Sequence, residues 1–462
     1  MDSALATTVS SLINLAELQS SALWALIVGV ILAFLLGAGM GGNDVSNAFG
    51  TSVGSKSVVD VSIYNNTPEV LLYGQVAALG GTSAWLIIAT IFSLPVSTTH
   101  SLVGATLGWT LVMKGTNGVV WKKIVQIAIS WVASPVLSGS ISSIIFLAVD
   151  HLVLRKANPL EAGFTLLPVF YFVCIGLNVF MVLYDGSPML HFNELPLWAC
   201  ILIAVAFGLV ASVLVQFILK PRMRRKLAPT TTLNIEIAEV HPARHTDGSH
   251  MTAWDLVKSD SSVDIKEEKE KEYSGAMKVI MDFLPCSQRV DDEKTLKLFV
   301  TLQLFTACYA GFAHGANDVS NAIAPLTAIV AIYRGDFTQS EGIPFYVLMY
   351  GVAAICLGLW LFGHNVIKTV GTHMSQVTPA SGFCIEFGAA LTALIASKIG
   401  LPISTTHCLI GSVVAVGMLK SVKKVNWTIF RNVAMSWVVT LPAAGAISAV
   451  IMFILKLVLG LQ

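Results

Sequence analysis

Long apolar stretches alternate with short polar interruptions along most of the chain, near residues 22–40, 70–93, 124–149, 164–184, 196–219, 298–316, 344–363, 381–400 and 428–458. Each is long enough for a helix to cross a bilayer, which takes about 20 residues. The last is long enough to hold more than one pass. Residues 220–297 break the pattern: they are polar, carry the mixed run Lys266-Glu267-Glu268-Lys269-Glu270-Lys271-Glu272, and are too poor in apolar residues to fold a core. The pattern therefore predicts a first membrane region over 1–219, a largely disordered loop over 220–297 and a second membrane region over 298–462. Lys220, Arg222, Arg224, Arg225 and Lys226 follow a span directly, and basic clusters at span ends favour the cytoplasmic side. The loop is expected to be cytoplasmic.

Composition agrees with a bilayer as solvent. The 462 residues are 55% hydrophobic and 12% charged, against about 25% charged in soluble domains. A net charge of +1 with no basic run interleaved with aromatics excludes a nucleic-acid binder. Seven scattered cysteines with no C-x-x-C pair indicate neither a disulfide framework nor a zinc site.

The two membrane regions repeat each other. Gly41-Gly42-Asn43-Asp44-Val45-Ser46-Asn47-Ala48 returns 274 residues later as Gly315-Ala316-Asn317-Asp318-Val319-Ser320-Asn321-Ala322. Leu94-Pro95-Val96-Ser97-Thr98-Thr99-His100 returns 307 residues later as Leu401-Pro402-Ile403-Ser404-Thr405-Thr406-His407, and Ser130-Trp131 returns 306 later as Ser436-Trp437. Duplication of this kind builds many secondary transporters, with substrate held near the midplane where the repeats meet.

Each repeated motif has its own chemistry. Asp44 and Asn47, like Asp318 and Asn321, lie three residues apart and share a helix face. Their oxygens are hard ligands suited to a small cation such as sodium, although one such element alone could equally be an Asn/Asp helix cap. The Pro-x-Ser-Thr-Thr-His runs read as broken or re-entrant helices whose N-termini point inward, where free N–H groups and the dipole favour an anion. One Ser-Thr-Thr alone is as well explained by ordinary capping and one His by a satisfied buried ring; two copies in register favour a binding site. Glu386 lies in mid-span and is a functional candidate. His100 and His407 could carry protons. No nucleophile signature such as Gly-x-Ser-x-Gly is present, so an enzyme is not expected.

At the Gly-Ala-Asn-Asp-Val-Ser-Asn-Ala pair, and at Ser381-Gly382-Phe383-Cys384-Ile385-Glu386, the chain resembles the inorganic phosphate transporter (PiT) family, in particular its animal sodium-dependent members. The first copy departs from the motif with Gly42 in place of alanine. The resemblance implies an all-helical bundle of two inverted repeats with re-entrant helices, and sodium-phosphate symport at the plasma membrane with no cofactor beyond the sodium carried. It implies that Asp44, Asn47, Asp318 and Asn321 hold sodium, and that Asn43, Ser97, Thr98, Thr99, Asn317, Ser404, Thr405 and Thr406 hold phosphate. A homodimer is left open. Proton coupling, another oxyanion, and a non-transporting sensor or shortened form are the alternatives.

One spacing departs from the family. Asn43 to His100 is 57 residues and Asn317 to His407 is 90, a shortfall of 33, or about one span plus a turn. One span is expected to be missing from the first repeat after Gly54. Losing one crossing would reverse the parity of everything on one side of it, so the two copies could no longer face the site as inverted partners without rearrangement.

Overall fold

The structure is a computed structural model, and it describes residues 2–43, 61–64, 67–185, 194–227, 284–285, 289, 291–336, 343–368, 374–399, 404–421 and 425–461. Twelve α-helices account for nearly all of these: α1 (Asp2–Asn43), α2 (Pro68–Ile91), α3 (Thr98–Lys114), α4 (Trp121–Val149), α5 (Pro159–Asp185), α6 (Leu197–Leu214), α7 (Lys220–Leu227), α8 (Glu293–Tyr333), α9 (Phe345–Lys368), α10 (Pro379–Ile399), α11 (Thr405–Lys420) and α12 (Trp427–Leu459). Among the described residues eight helical stretches are long and apolar enough to cross a membrane. The last apolar stretch is one helix of 33 residues rather than two passes. α3 and α11, with 17 and 16 residues, are too short to cross, as expected for the re-entrant elements.

Local sequence explains the breaks. Pro68 sits in the first turn of α2, where its missing N–H costs nothing. That helix stops at Ile91, Ser93 turns with φ 53°, and Pro95 holds Leu94 out of the helical region. Ser97 then caps α3, accepting from the His100 N–H at 3.4 Å, and Ser404 caps α11 in the same way through His407 N–H, also at 3.4 Å. The hydroxyl runs thus start two half-length helices, each folding back along its predecessor as a hairpin.

Running directions relate the two halves. Gln19 Nε2 donates to Tyr333 O at 3.0 Å while Gly29 meets Leu326 and Ile329, so α1 and α8 run antiparallel. α2 runs parallel to α1, through Ser83 Oγ to Leu32 O at 3.1 Å and Asn43 Nδ2 to Thr90 Oγ1 at 3.2 Å. α10 runs parallel to α8, through Gln303 and Thr306 to Glu386. The hairpins α2–α3 and α10–α11 therefore enter from opposite sides.

Each re-entrant helix packs on the far repeat's last helix, α3 on α12 and α11 on α4. The contacts are reciprocal. A Cβ at Gly104 would stand 2.9 Å from Leu441 Cα, and one at the counterpart Gly411 would stand 2.6 Å from Pro135 Cβ, Pro135 being the counterpart of Leu441. Gly81 approaches Ser448 as Gly388 approaches Ser142. Small residues permitting backbone contact are the usual packing device of helices in lipid, where the hydrophobic effect no longer drives helices together.

The described part of residues 44–67 holds only a short 3₁₀ turn, Val61–Tyr64, whereas α9 occupies the corresponding interval of the second repeat. Nevertheless the expected loss of inverted facing does not occur. Asn43 ends α1 beside the α2–α3 tip, and Tyr64 lies at that hairpin's open end, its ring 5.2 Å from Trp109. Across the shorter interval the α2–α3 hairpin keeps a sense opposite to that of α10–α11.

Where the loop rejoins the membrane part, Asp150 is fully buried at the end of α4. It accepts from Arg155 Nε and from Arg289 Nη2, each at 2.5 Å, and Arg155 also donates to Leu284 O. Removing the charge of a buried carboxylate so paired leaves two guanidinium groups facing each other, which costs about 3–5 kcal/mol. Asp150→Asn is expected to lower the thermal unfolding temperature of the detergent-solubilised chain without changing which ions it moves; an unchanged temperature would show the cluster to be dispensable.

Candidate functional site

The two half-helix N-termini meet at the centre of the helical body. His100 and His407 follow their caps by three residues, and their rings lie edge to face with centroids 5.1 Å apart. His407 stacks on Trp437 at 3.9 Å and His100 meets Trp131 edge-on at 6.3 Å. Trp131 and Trp437 are repeat counterparts, so the axis relating the halves passes between the two imidazoles. Both rings are buried, and His407 Nδ1 and Nε2 and His100 Nδ1 have no hydrogen-bond partner among the described residues. Thr406 Oγ1 reaches across to Val96 O at 3.4 Å, joining the second hairpin tip to the first.

The signature elements border this meeting point. Asn43 is fully buried and uses both ends of its amide on the first tip: Nδ2 donates to Leu94 O at 2.9 Å and to Thr90 Oγ1, and Oδ1 accepts from Val96 N–H at 3.0 Å. It fixes the turn that presents Ser97, Thr98 and Thr99. From the other repeat, Asn321 Nδ2 reaches Thr99 Oγ1 at 3.4 Å, while Asp318, one turn earlier on α8, is 9% exposed. The amide–hydroxyl contact thus crosses between repeats. Asp44 and Asn47 lie outside the described residues, as does the side chain of Asn317.

The remaining hydroxyls divide by role. Ser97 and Ser404 are consumed as caps. Thr99 and Thr405 are partly exposed beside them, and Thr98 and Thr406 are buried. Where two helix N-termini face each other with hydroxyls and no described Lys or Arg between them, the uncompensated partial charge is positive and suits an oxyanion. The carboxylate of Asp318 and the amide oxygen of Asn321 supply the hard oxygens a small cation needs at its edge.

Glu386 stands apart from this group. It accepts from Gln303 Nε2 at 3.3 Å and Thr306 Oγ1 at 3.1 Å, bridging α10 and α8. Thr90 and the two tryptophans belong to the site's frame but carry no signal a single sequence would single out as functional. Trp131 and Trp437 were visible only as matched positions of the repeat. Among the described residues no group of three or more His, Cys, Asp or Glu could hold a metal ion.

The sequence profile described as the phosphate transporter family matches residues 20–448. Sodium-dependent phosphate transporter 1 of Mus musculus is 30% identical, the alignment covering 99% of this chain and 100% of that protein. Sodium-dependent phosphate transporter 2 of Xenopus tropicalis is 32% identical over 94% of this chain and 98% of its own length. A solved structure titled "The sodium-dependent phosphate transporter" superposes with a TM-score of 0.69 at 29% identity, covering 94% of this chain and 99% of that one.

Proposed function

The chain belongs to the phosphate transporter family, and from that premise we propose that it moves inorganic phosphate across the plasma membrane together with sodium ions. The observation that carries this reading is the head-to-head meeting of α3 and α11 with the Asp318–Asn321 turn crossing onto Thr99. Phosphate is assigned to the hydroxyl-lined N-termini, through Ser97, Thr98, Thr99, Ser404, Thr405 and Thr406. Sodium is assigned to Asp318 and Asn321, and to Asp44 and Asn47 in the first repeat. Asn43 and Asn317 belong to the phosphate group; the bonds of Asn43 support a role through the tip it pins.

Charge makes the two ligands interdependent. Phosphate at neutral pH is an anion, and Asp44 and Asp318 add two more negative charges at motifs that contain no Lys or Arg. Cations from solution have to balance them, so each ligand raises the affinity of the other, which is coupling in the thermodynamic sense. Any net positive charge moved inward gains about 2.3 kcal/mol per 100 mV of membrane potential. We assign the loop over 220–297 to the cytoplasm, a reading supported by the basic cluster on α7, with the membrane regions 1–219 and 298–462 on either side of it.

Radiolabelled phosphate uptake in cells expressing the chain, in sodium and in choline medium, tests the proposal. Uptake in sodium alone supports it; equal uptake in both media, or none in a correctly trafficked chain, overturns it. Replacing Thr405 by Ala and Thr406 by Val removes two hydroxyl donors from one tip. Hydrogen bonds to charged groups contribute about 1.5–3 kcal/mol, so KM for phosphate is expected to rise about tenfold or more, while sodium activation measured at saturating phosphate is retained. An unchanged KM would remove these hydroxyls from the anion site.

A further inference from the structure

α1 carries Ala33, Gly37 and Gly41 at four-residue intervals, which leaves one face low enough for another backbone to come close. α9 fills that face. A Cβ at Gly37 would stand 2.7 Å from Ala354 Cβ, and one at Gly41 would stand 2.7 Å from the Leu359 nitrogen. Tyr350, four residues before Ala354, donates its hydroxyl to Val30 O at 2.6 Å, and its ring lies 6.0 Å from that of Phe34.

The repeat writes the same stripe onto α8 as Ala307, Gly311 and Gly315. Among the described residues nothing covers this face at Ala307 and Gly311. Leu304, counterpart of Val30, is 63% exposed; Ala307 is exposed where its counterpart Ala33 is 1% exposed; Cys308 and Gly311 are exposed too. A Cβ at Gly311 would meet no atom of the described residues within 4 Å. This is the place that a first-repeat counterpart of α9 would cover, in the interval where the first repeat is 33 residues short.

We infer that this face of α8 is a docking surface for a membrane-spanning helix of a separate polypeptide. The occupant is apolar, carries an aromatic hydroxyl four residues before a small residue as α9 does with Tyr350 and Ala354, and runs parallel to α8 as α9 runs parallel to α1. The occupied face of α1 argues for a helix over lipid chains: the same stripe, in the same molecule, takes a helix and satisfies a buried tyrosine hydroxyl on its backbone. A second copy's α9 cannot serve with its inner face, because each chain has one α9 and α1 already uses it.

The test uses the full chain with Cys356→Ser, co-expressed with an epitope-tagged segment spanning residues 343–368, bearing Tyr350→Cys and built with its N-terminus on the loop side. Counterpart positions place that cysteine against Cys308. A short bismaleimide is expected to join one chain to one segment, and the segment should slow labelling of Cys308 by a lipid-soluble maleimide severalfold. Gly311→Leu in the full chain, at a position with no neighbour among the described residues, should abolish both effects. Absence of the adduct with an inserted segment, an adduct that survives Gly311→Leu, or cross-links only between two full-length chains would each overturn the inference, the first in favour of lipid and the last in favour of a copy-to-copy interface.

Discussion

Asp318→Asn is expected to reduce sodium-driven phosphate uptake at least tenfold, with the sodium activation curve displaced to higher concentration and surface expression retained. The exchange keeps the size of the side chain, so packing around α8 is preserved while one negative charge and one acceptor oxygen are lost. A unit charge about 4 Å from a cation contributes about 4 kcal/mol at an effective dielectric of about 20, and about 1.4 kcal/mol is a factor of ten. Surface biotinylation beside sodium titrations of uptake separates a binding defect from a trafficking one. A variant that reaches the surface and keeps its sodium curve would move the cation away from this turn. Glu386→Gln is the comparison. Its carboxylate receives two donors, from Gln303 and Thr306, in a bridge between α8 and α10, and an amide oxygen accepts one of them, so the loss should be smaller and should not fall selectively on sodium.

The helices were legible because the bilayer imposes a length on every crossing, and the apolar runs predicted nearly all of them. Re-entry at Ser97 and Ser404 was legible because proline and a capping hydroxyl interrupt otherwise continuous apolar sequence twice at one offset. Which partner each element meets was not. Nothing in a string of residues says that Asn321 reaches Thr99 of the other repeat, or that Asn43 turns back onto its own hairpin tip, since both depend on how α1 and α8 cross. The parity expectation differed for a related reason: counting residues treated the shortfall as a crossing, whereas the running directions of α1, α2, α8 and α10 leave the two hairpins pointing opposite ways.

Gly411→Leu is expected to have the largest effect on assembly, preventing the chain from giving a monodisperse species in detergent. A Cβ there already enters the space of Pro135, and the backbone of α4 on the other side has no side chain to swing away; overpacking typically costs about 1–3 kcal/mol even where neighbours can move. Gly104→Leu should fail equally, because Leu441 stands to it as Pro135 stands to Gly411. Gly311→Leu, on an equally small-residue face of a helix in the same molecule, should fold as the parent does. Fluorescence-detected size exclusion of the three variants reads this directly. If Gly104→Leu and Gly411→Leu differed widely, the repeats would not bear equal load at the centre; if Gly311→Leu also failed to assemble, the open face of α8 would be needed for folding within a single chain, and the distinction between a helix stripe that is filled and one that awaits a partner would collapse.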